Sequence, residues 1–235
     1  MEAFSEVQCI AISLPAQESR LSQQYLALKR VLDVVLASAL LLVVSPILLL
    51  LCAAVMLESP GAPLYRQRRV GVGGQIFRIF KLRTMYTGTD GMSHVTGDTD
   101  NRVTRIGSFL RSSKLDELPQ LLNIIKGDMS VIGPRPLSES ECNHMVSDEG
   151  INWDTPGFVP QQRPGLIGLE QVTRSQRKDW RSYGERFELN AQYESNISWQ
   201  MDFDILVRAV IQCRVVVYAA IIAFSSESVV LSLLN

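Results

Sequence analysis

The segment TRIGSFLRSSKLDELPQLLNIIKGDMSVIGPRP, Thr104 to Pro136, holds the densest local signals in this 235-residue chain. Thr104 reads as the N-cap of a short helix ending near Ser113. Pro119 disfavours helical geometry at Leu118 but suits the first turn of a following helix. That second helix carries Leu121, Leu122, Ile124 and Ile125 and stops at Gly127. The expected form is helix, kink, helix, with Asp116 and Glu117 at the break. Carboxylates placed there meet free backbone N–H groups and a positive helix end, which lowers their pKa. An ionised oxygen nucleophile or a metal ligand is the expectation.

Acidic residues at helix starts are commonplace, so the pair alone specifies no chemistry. Gly133-Pro134-Arg135-Pro136 adds a second element. Two prolines fix φ on either side of one arginine, so its guanidinium stands on a stiff stalk suited to bidentate capture of a phosphate. Carboxylates and a rigid arginine together point to metal-assisted chemistry on a phosphate ester.

Lys114-Leu-Asp-Glu-Leu-Pro-Gln120, Gly127-Asp-Met-Ser130 and Gly133-Pro-Arg-Pro136 resemble the signature of the bacterial sugar transferases. These are monotopic phosphoglycosyl transferases that begin cell-surface glycan assembly on a polyprenyl phosphate. Phe80-Lys-Leu-Arg-Thr-Met85 and Arg163-Pro-Gly-Leu-Ile-Gly168 resemble further blocks of the same family, and the resemblance extends from about Leu28 to Arg208. It implies transfer of a sugar 1-phosphate from a UDP-sugar to polyprenyl phosphate, with UMP released. By resemblance Asp116 is the nucleophile and touches Mg²⁺, Glu117 orients it or handles protons, and Arg111, Arg135 and Arg163 bind phosphate, with Lys81 a further candidate. The family tends to carry an acid where this chain has Asn190, a departure that weakens any role assigned to that position.

The rest of the chain sets the frame. A net charge of −1 provides no global field to recruit nucleic acid, and none is expected as a partner. Cations do gather locally between Gly61 and Lys114, where they suit lipid headgroups or a nucleotide diphosphate, or simply form a solvated face. Cys9, Cys52, Cys142 and Cys213 are scattered without CxxC or Cys/His spacing, which fits a reducing cytosolic face and supports neither zinc nor a disulfide framework. His94 and His144 have no ligand-spaced companions.

Taken in order, residues 1–22 read as an extension and residues 23–58 as a membrane element. A cytosolic catalytic domain follows over residues 59–203, then a C-terminal interfacial or oligomerisation segment over residues 204–235. The apolar run Val31–Leu57, interrupted only by Asp33, exceeds what a ~30 Å hydrocarbon core requires. A spanning helix is one path. Ser45-Pro46 at its centre and basic flanks on both sides (Lys29-Arg30, then Arg66, Arg68 and Arg69) favour a second, a re-entrant helix broken at Ser45-Pro46. The family resemblance implies the second path.

Leu64–Val70 and Gln75–Leu82 flank a glycine-rich turn and read as a β-hairpin, with Lys81 and Arg83 on one face towards a site or solvated at an edge. Tyr86–Asn101 reads as a mobile loop or lid, in which Asp98 and Asp100 are weak metal candidates. Trp180–Tyr193 is amphipathic, suited to a lipid interface or to a core. The run Val215–Phe224 is too short to span, and the last residues can pair with another subunit, leaving a homo-oligomer open.

The expected fold is α+β, mainly helical: a re-entrant membrane helix, a small cytosolic domain with a β-hairpin, and interfacial amphipathic helices. Expected partners are a UDP-sugar, polyprenyl phosphate and inner-membrane lipid at the cytoplasmic face of a bacterial membrane, with Mg²⁺ as cofactor. Two rivals remain: a non-catalytic membrane-anchored scaffold, and a transferase or phosphatase that uses Asp116 only as a metal ligand in a single displacement. The sugar itself has no signature in the chain.

Overall fold

The computed structural model describes residues 20–88, 100–147, 150, 152–174 and 183–212. The N-terminal extension through residue 19, the middle of the Tyr86–Asn101 loop with His94 and Asp98, Trp180, and the tail beyond residue 212 lie outside the described residues. The described part is mainly helical with two small two-stranded sheets.

Helix α1, Arg20–Glu58, runs for 39 residues with Pro46 inside it. The helix continues on both sides of Ser45-Pro46, where the proline leaves one backbone hydrogen bond unmade and permits a bend. Ser45 Oγ donates to Leu42 O at 2.9 Å, the carbonyl that an N–H at position 46 would otherwise bond. Asp33, Ala37, Leu41, Val44, Leu48, Leu51 and Val55 form one stripe at three- and four-residue spacing that faces the rest of the protein. Nearly all the other apolar residues of α1 are exposed, and the helix is long and apolar enough to cross a membrane.

Both ends of α1 grip the same folded body. At the first, Arg30 donates to Ile124 O (2.7 Å) and Ile125 O (3.0 Å), and Asp33 accepts from Ser130 Oγ (2.7 Å) and Val131 N (3.0 Å). At the second, Arg83 donates to Ser59 O (2.6 Å) and Pro60 O (2.7 Å), while Glu58 accepts from Arg105 N (2.7 Å) and Ile106 N (3.0 Å). Arg83 thus serves the C-terminal carbonyls of α1, a favourable place for a cation, and does not share the site face of Lys81.

The hairpin forms as its alternation dictates. Strand β1, Leu64–Val70, pairs antiparallel with β2, Ile76–Leu82, placing Leu64 opposite Leu82 and Val70 opposite Ile76. Arg66, Arg68 and Arg78 fall on one face, in water, and Ile79 and Lys81 fall on the other. Helix α2, Arg105–Ser113, begins at Thr104, whose side chain accepts from Gly107 N at 2.8 Å. A 3-10 turn, Leu115–Gln120, then carries Asp116 and Glu117, and α3, Leu121–Lys126, ends at Gly127 in the left-handed conformation. Asn123 of α3 is wholly buried, accepts from Phe80 N (3.0 Å) and donates to Arg78 O (2.7 Å), so it satisfies the free edge of β2 and seats the 3-10 turn beside the strand.

Strand β3, Ser130–Ile132, pairs parallel with β4, Gly165–Ile167. This sheet brings the Gly133–Pro136 block against the Arg163–Gly168 block. The two backbones approach so closely that a Cβ on Gly165 would lie 2.1 Å from Gly133 N. Only glycine fits there. Helices α4, Glu139–Ser147, α5, Leu169–Arg174, and α6, Tyr183–Ser195, complete the body. Phe187 and Tyr193 of α6 are buried in its cores, so this amphipathic helix packs inward instead of lying on lipid. Residues 199–212 form a last helix, α7, that buries Asp202 and Ile205 and exposes Trp199, Phe203, Leu206, Val207, Val210 and Ile211.

Candidate active site

The site is assembled from β2, the 3-10 turn and the loop after β3. Lys114 ends α2 with φ of 61°, a left-handed conformation costly for a residue with a side chain. It turns the chain directly into Leu115-Asp116-Glu117. The 3-10 turn has no side-chain cap, and its two carboxylates receive opposite treatment. Glu117 Oε1 accepts from Lys81 Nζ at 3.0 Å, with both side chains about four-fifths buried. Burial pushes the Glu117 carboxyl up, but Lys81 and Arg135 together outweigh it and hold the group below the usual glutamate value.

Asp116 is 8% exposed, and among the described residues none donates a hydrogen bond to its carboxylate. Burial is the largest influence and raises its pKa, with Glu117 adding to the effect; Lys81, Lys114 and Arg111 oppose it. This is opposite to the lowering expected for a carboxylate at a helix start. A single 3-10 turn offers little dipole, and desolvation of a nearly enclosed carboxylate outweighs it. The outcome is a carboxylate surrounded by cations yet bonded to none of them.

The arginines divide. Arg111 is half-buried, donates through Nε to Thr84 Oγ1 at 2.8 Å and faces the Asp116 charge. Arg135, Arg69, Lys81 and Glu117 line one small cleft. Arg163 goes elsewhere. Its Nε donates to Gly127 O at 3.1 Å, and it lines a second cavity with Lys29, Arg30 and Asp33, past the C-terminal end of α3. Asp100 pairs with Arg102 at 2.5 Å, a partner that leaves it poorly placed to take a metal.

Several members of the site had no clear sequence signal. Arg69 donates to Pro136 O at 2.9 Å and lies 3.4 Å from Glu141, bracing the Pro-Arg-Pro segment from below the hairpin. Glu141 in turn accepts from Ser138 N at 2.8 Å while Ser138 Oγ accepts from Glu141 N at 3.1 Å, a capping box that starts α4. Glu170 and Arg186, both buried, extend the network behind Arg135. The S-x-x-E spacing of Ser138 and Glu141 was the one available clue.

Among the described residues no group of three His, Cys, Asp or Glu gathers, so these residues present no ready-made metal cage. Mg²⁺ does not require one, being held commonly by one or two carboxylates plus substrate phosphates. Asp116, a hard oxygen donor without a hydrogen-bond partner, fits that pattern, and Glu117 stands next to it. The arrangement can therefore offer one nucleophilic or metal-binding carboxylate, a second locked carboxylate, and two arginines and a lysine for phosphate.

The sequence is similar to that of known proteins over most of its length. The model of the bacterial sugar transferase family matches residues 24–215. A UDP-glucose:undecaprenyl-phosphate glucose-1-phosphate transferase of Caulobacter vibrioides is 48% identical over 147 residues, 61% of this chain and 53% of that protein. The exopolysaccharide production protein ExoY of Rhizobium meliloti is 39% identical over 195 residues, covering 76% of this chain and 81% of ExoY. A UDP-N-acetylgalactosamine-undecaprenyl-phosphate N-acetylgalactosaminephosphotransferase of Aeromonas hydrophila is 33% identical over 189 residues, 79% of this chain but 43% of the relative. The chain thus spans about half the length of the Caulobacter protein and most of ExoY. With the family model covering most of its length, this chain belongs to the bacterial sugar transferase family.

Proposed function

We propose that this protein transfers a sugar 1-phosphate from a UDP-sugar to polyprenyl phosphate, giving polyprenyl diphosphate-sugar and UMP, at the cytoplasmic face of a bacterial inner membrane. The observation that carries this reading is the unequal carboxylate pair: Asp116 without a hydrogen-bond partner among the described residues, beside Glu117 fixed by Lys81. An Asp116 oxygen attacks the sugar-bearing phosphorus, the phosphorus–oxygen bond to UMP breaks, and UMP leaves with the bonding electrons. A phosphosugar ester of Asp116 results. An oxygen of polyprenyl phosphate then attacks the same phosphorus and regenerates the carboxylate. Arg135 and Arg111 hold phosphate oxygens and offset the charge of two anionic reactants, while Lys81 keeps Glu117 ionised beside the nucleophile. Asp116 would help hold Mg²⁺, and the ion would supply further charge neutralisation.

The membrane path is proposed as re-entrant. One folded body grips both ends of α1, and a spanning helix would require that body to lie on both sides of the bilayer at once. Basic flanks at both ends support the same side for each. The exposed apolar face of α7 adds to this surface: Trp199 stacks edge-on against Tyr25 of α1 at 4.7 Å, so the two apolar faces are neighbours. On this re-entrant path Asp116 lies at headgroup depth, where a lipid phosphate can reach it.

The test is UMP release from a panel of UDP-sugars by nanodisc-embedded protein with Mg²⁺ and polyprenyl phosphate. Repeated turnover that requires both the lipid phosphate and Asp116, beyond the single equivalent of UMP set free when Asp116 is loaded, supports the assignment. Wild-type protein that releases no UMP from any donor refutes it. The relatives carry both glucose and N-acetylgalactosamine in their names, so the panel includes both donors.

A further inference from the structure

We propose that Glu170 is the positioning residue for Arg135: its buried carboxylate, 4.0 Å from Nε, draws that edge of the guanidinium by charge and leaves the remaining donors available to a phosphate in the cleft. The inference rests on Arg135 binding phosphate in the transfer reaction.

Glu170 is 1% exposed, in the first turn of α5. A carboxylate so enclosed is tolerated only with countercharge. Among the described residues two guanidinium groups supply it, Arg186 Nε at 3.5 Å and Arg135 Nε at 4.0 Å. The two arginines are not equivalent. The Arg186 side chain is 9% exposed and sealed in the body, whereas Arg135 is 30% exposed and lines the cleft with Lys81 and Glu117. Of these two guanidinium groups, Arg135 is the one that faces the cleft and can present its charge to a ligand.

A competing partner makes this restraint necessary. Arg135 also lines the same cleft as Glu117, whose negative charge attracts it. Without a carboxylate behind it, the guanidinium would turn fully onto Glu117 and both groups would be masked from substrate. Lys81 already satisfies Glu117, so the Arg135 fork is spare only while Glu170 pulls from the other side. The stalk prolines fix the backbone, and Arg135 N donates weakly to Asn190 Oδ1 at 3.4 Å. An amide at position 190 brings no charge, which leaves the orientation of the side chain to Glu170.

The register that brings Glu170 here is set by backbone contact. A Cβ on Gly168 would lie 2.8 Å from Gly133 O and 3.6 Å from Arg135 N, so the chain entering α5 is stacked on the chain carrying Arg135.

A double-mutant cycle on UMP affinity, measured by calorimetry on the full chain in nanodiscs, tests the role. Glu170→Gln should weaken UMP binding about tenfold in the wild-type background, the scale of one misplaced charge-assisted contact, and less than about twofold in Arg135→Ala. Equal losses in both backgrounds, or no loss in either, would overturn the proposal, since a purely structural acid acts independently of Arg135. Should Glu170→Gln fail to fold, Glu170→Asp takes its place in the same cycle under the same criteria. Wild-type protein that neither binds UMP nor releases it from UDP-sugars removes the transferase reading and the role of Glu170 with it. A wild type that does both, with a flat cycle, removes only Glu170.

Discussion

Replacing Lys81 with methionine is the most informative perturbation of the site. The Lys81–Glu117 pair is 3.0 Å long, and the side chains are 18% and 19% exposed, so solvent screens it little. Breaking a buried pair by removing one partner costs roughly 3–5 kcal/mol, because the other charge is left behind. Arg135 stays near Glu117 and absorbs part of that charge, which points to the low end, about 3 kcal/mol. For a chain of this size that lowers the unfolding midpoint by about 6–12 °C. A second effect is independent of folding. Lys81 is the foremost of the cations holding down both Glu117 and Asp116, so its loss raises both carboxyls. Asp116 must be ionised to attack, and the acid limb of UMP release should therefore move to higher pH. Circular dichroism melting in nanodiscs and a pH–rate profile read the two effects. Lys81→Met protein that melts within about 1 °C of wild type and keeps its acid limb would refute the description of this pair as the prop of the site.

Three other outcomes follow from the geometry. Asn123→Ala strips Phe80 N and Arg78 O of their partners and should cost about 3 kcal/mol, read by chemical denaturation, with transfer activity falling as the 3-10 turn loosens. Phe203→Glu combined with Val207→Glu places charge on the exposed apolar face of α7 and should weaken retention on lipid vesicles after salt washing while leaving the melting profile of the protein nearly unchanged. Glu141 is held below the usual glutamate value: burial would raise it, but Arg69 and the hydrogen bonds from Ser138 prevail. Its stabilising contribution is thus complete above the ordinary value and is lost as pH falls through the lowered one, so Glu141→Gln should flatten the acid side of the stability–pH curve.

Much of this fold was legible in the sequence because it rests on local rules. Period-two alternation around Gly71–Gly74 marked the hairpin, Thr104 marked the start of α2, and Gly127 marked the end of α3. The β3–β4 pair was not legible. Its strands are three residues each, and their partnership joins segments more than thirty positions apart through backbone contact at Gly133 and Gly165. The fate of charged residues was equally hidden, since Arg83 and Lys81 sit two apart in sequence yet Arg83 turns to the carbonyls at the end of α1. Asp116 and Arg163 make the same point from the functional side. Burial reversed the expected direction for the first, and the second follows Gly127 to another cavity instead of joining the carboxylates. The Ser138-x-x-Glu141 capping box, by contrast, has a local signature in its S-x-x-E spacing.

The central claim is that Asp116 itself becomes covalently loaded. The direct measurement is the intact mass of nanodisc-released protein after incubation with Mg²⁺ and each UDP-sugar in the absence of polyprenyl phosphate. The account predicts a gain of one phosphosugar with the accepted donor, absent in Asp116→Asn and discharged when polyprenyl phosphate is added. Unmodified protein with every donor, together with UMP release once the lipid phosphate is present, would contradict it and assign Asp116 to a single displacement.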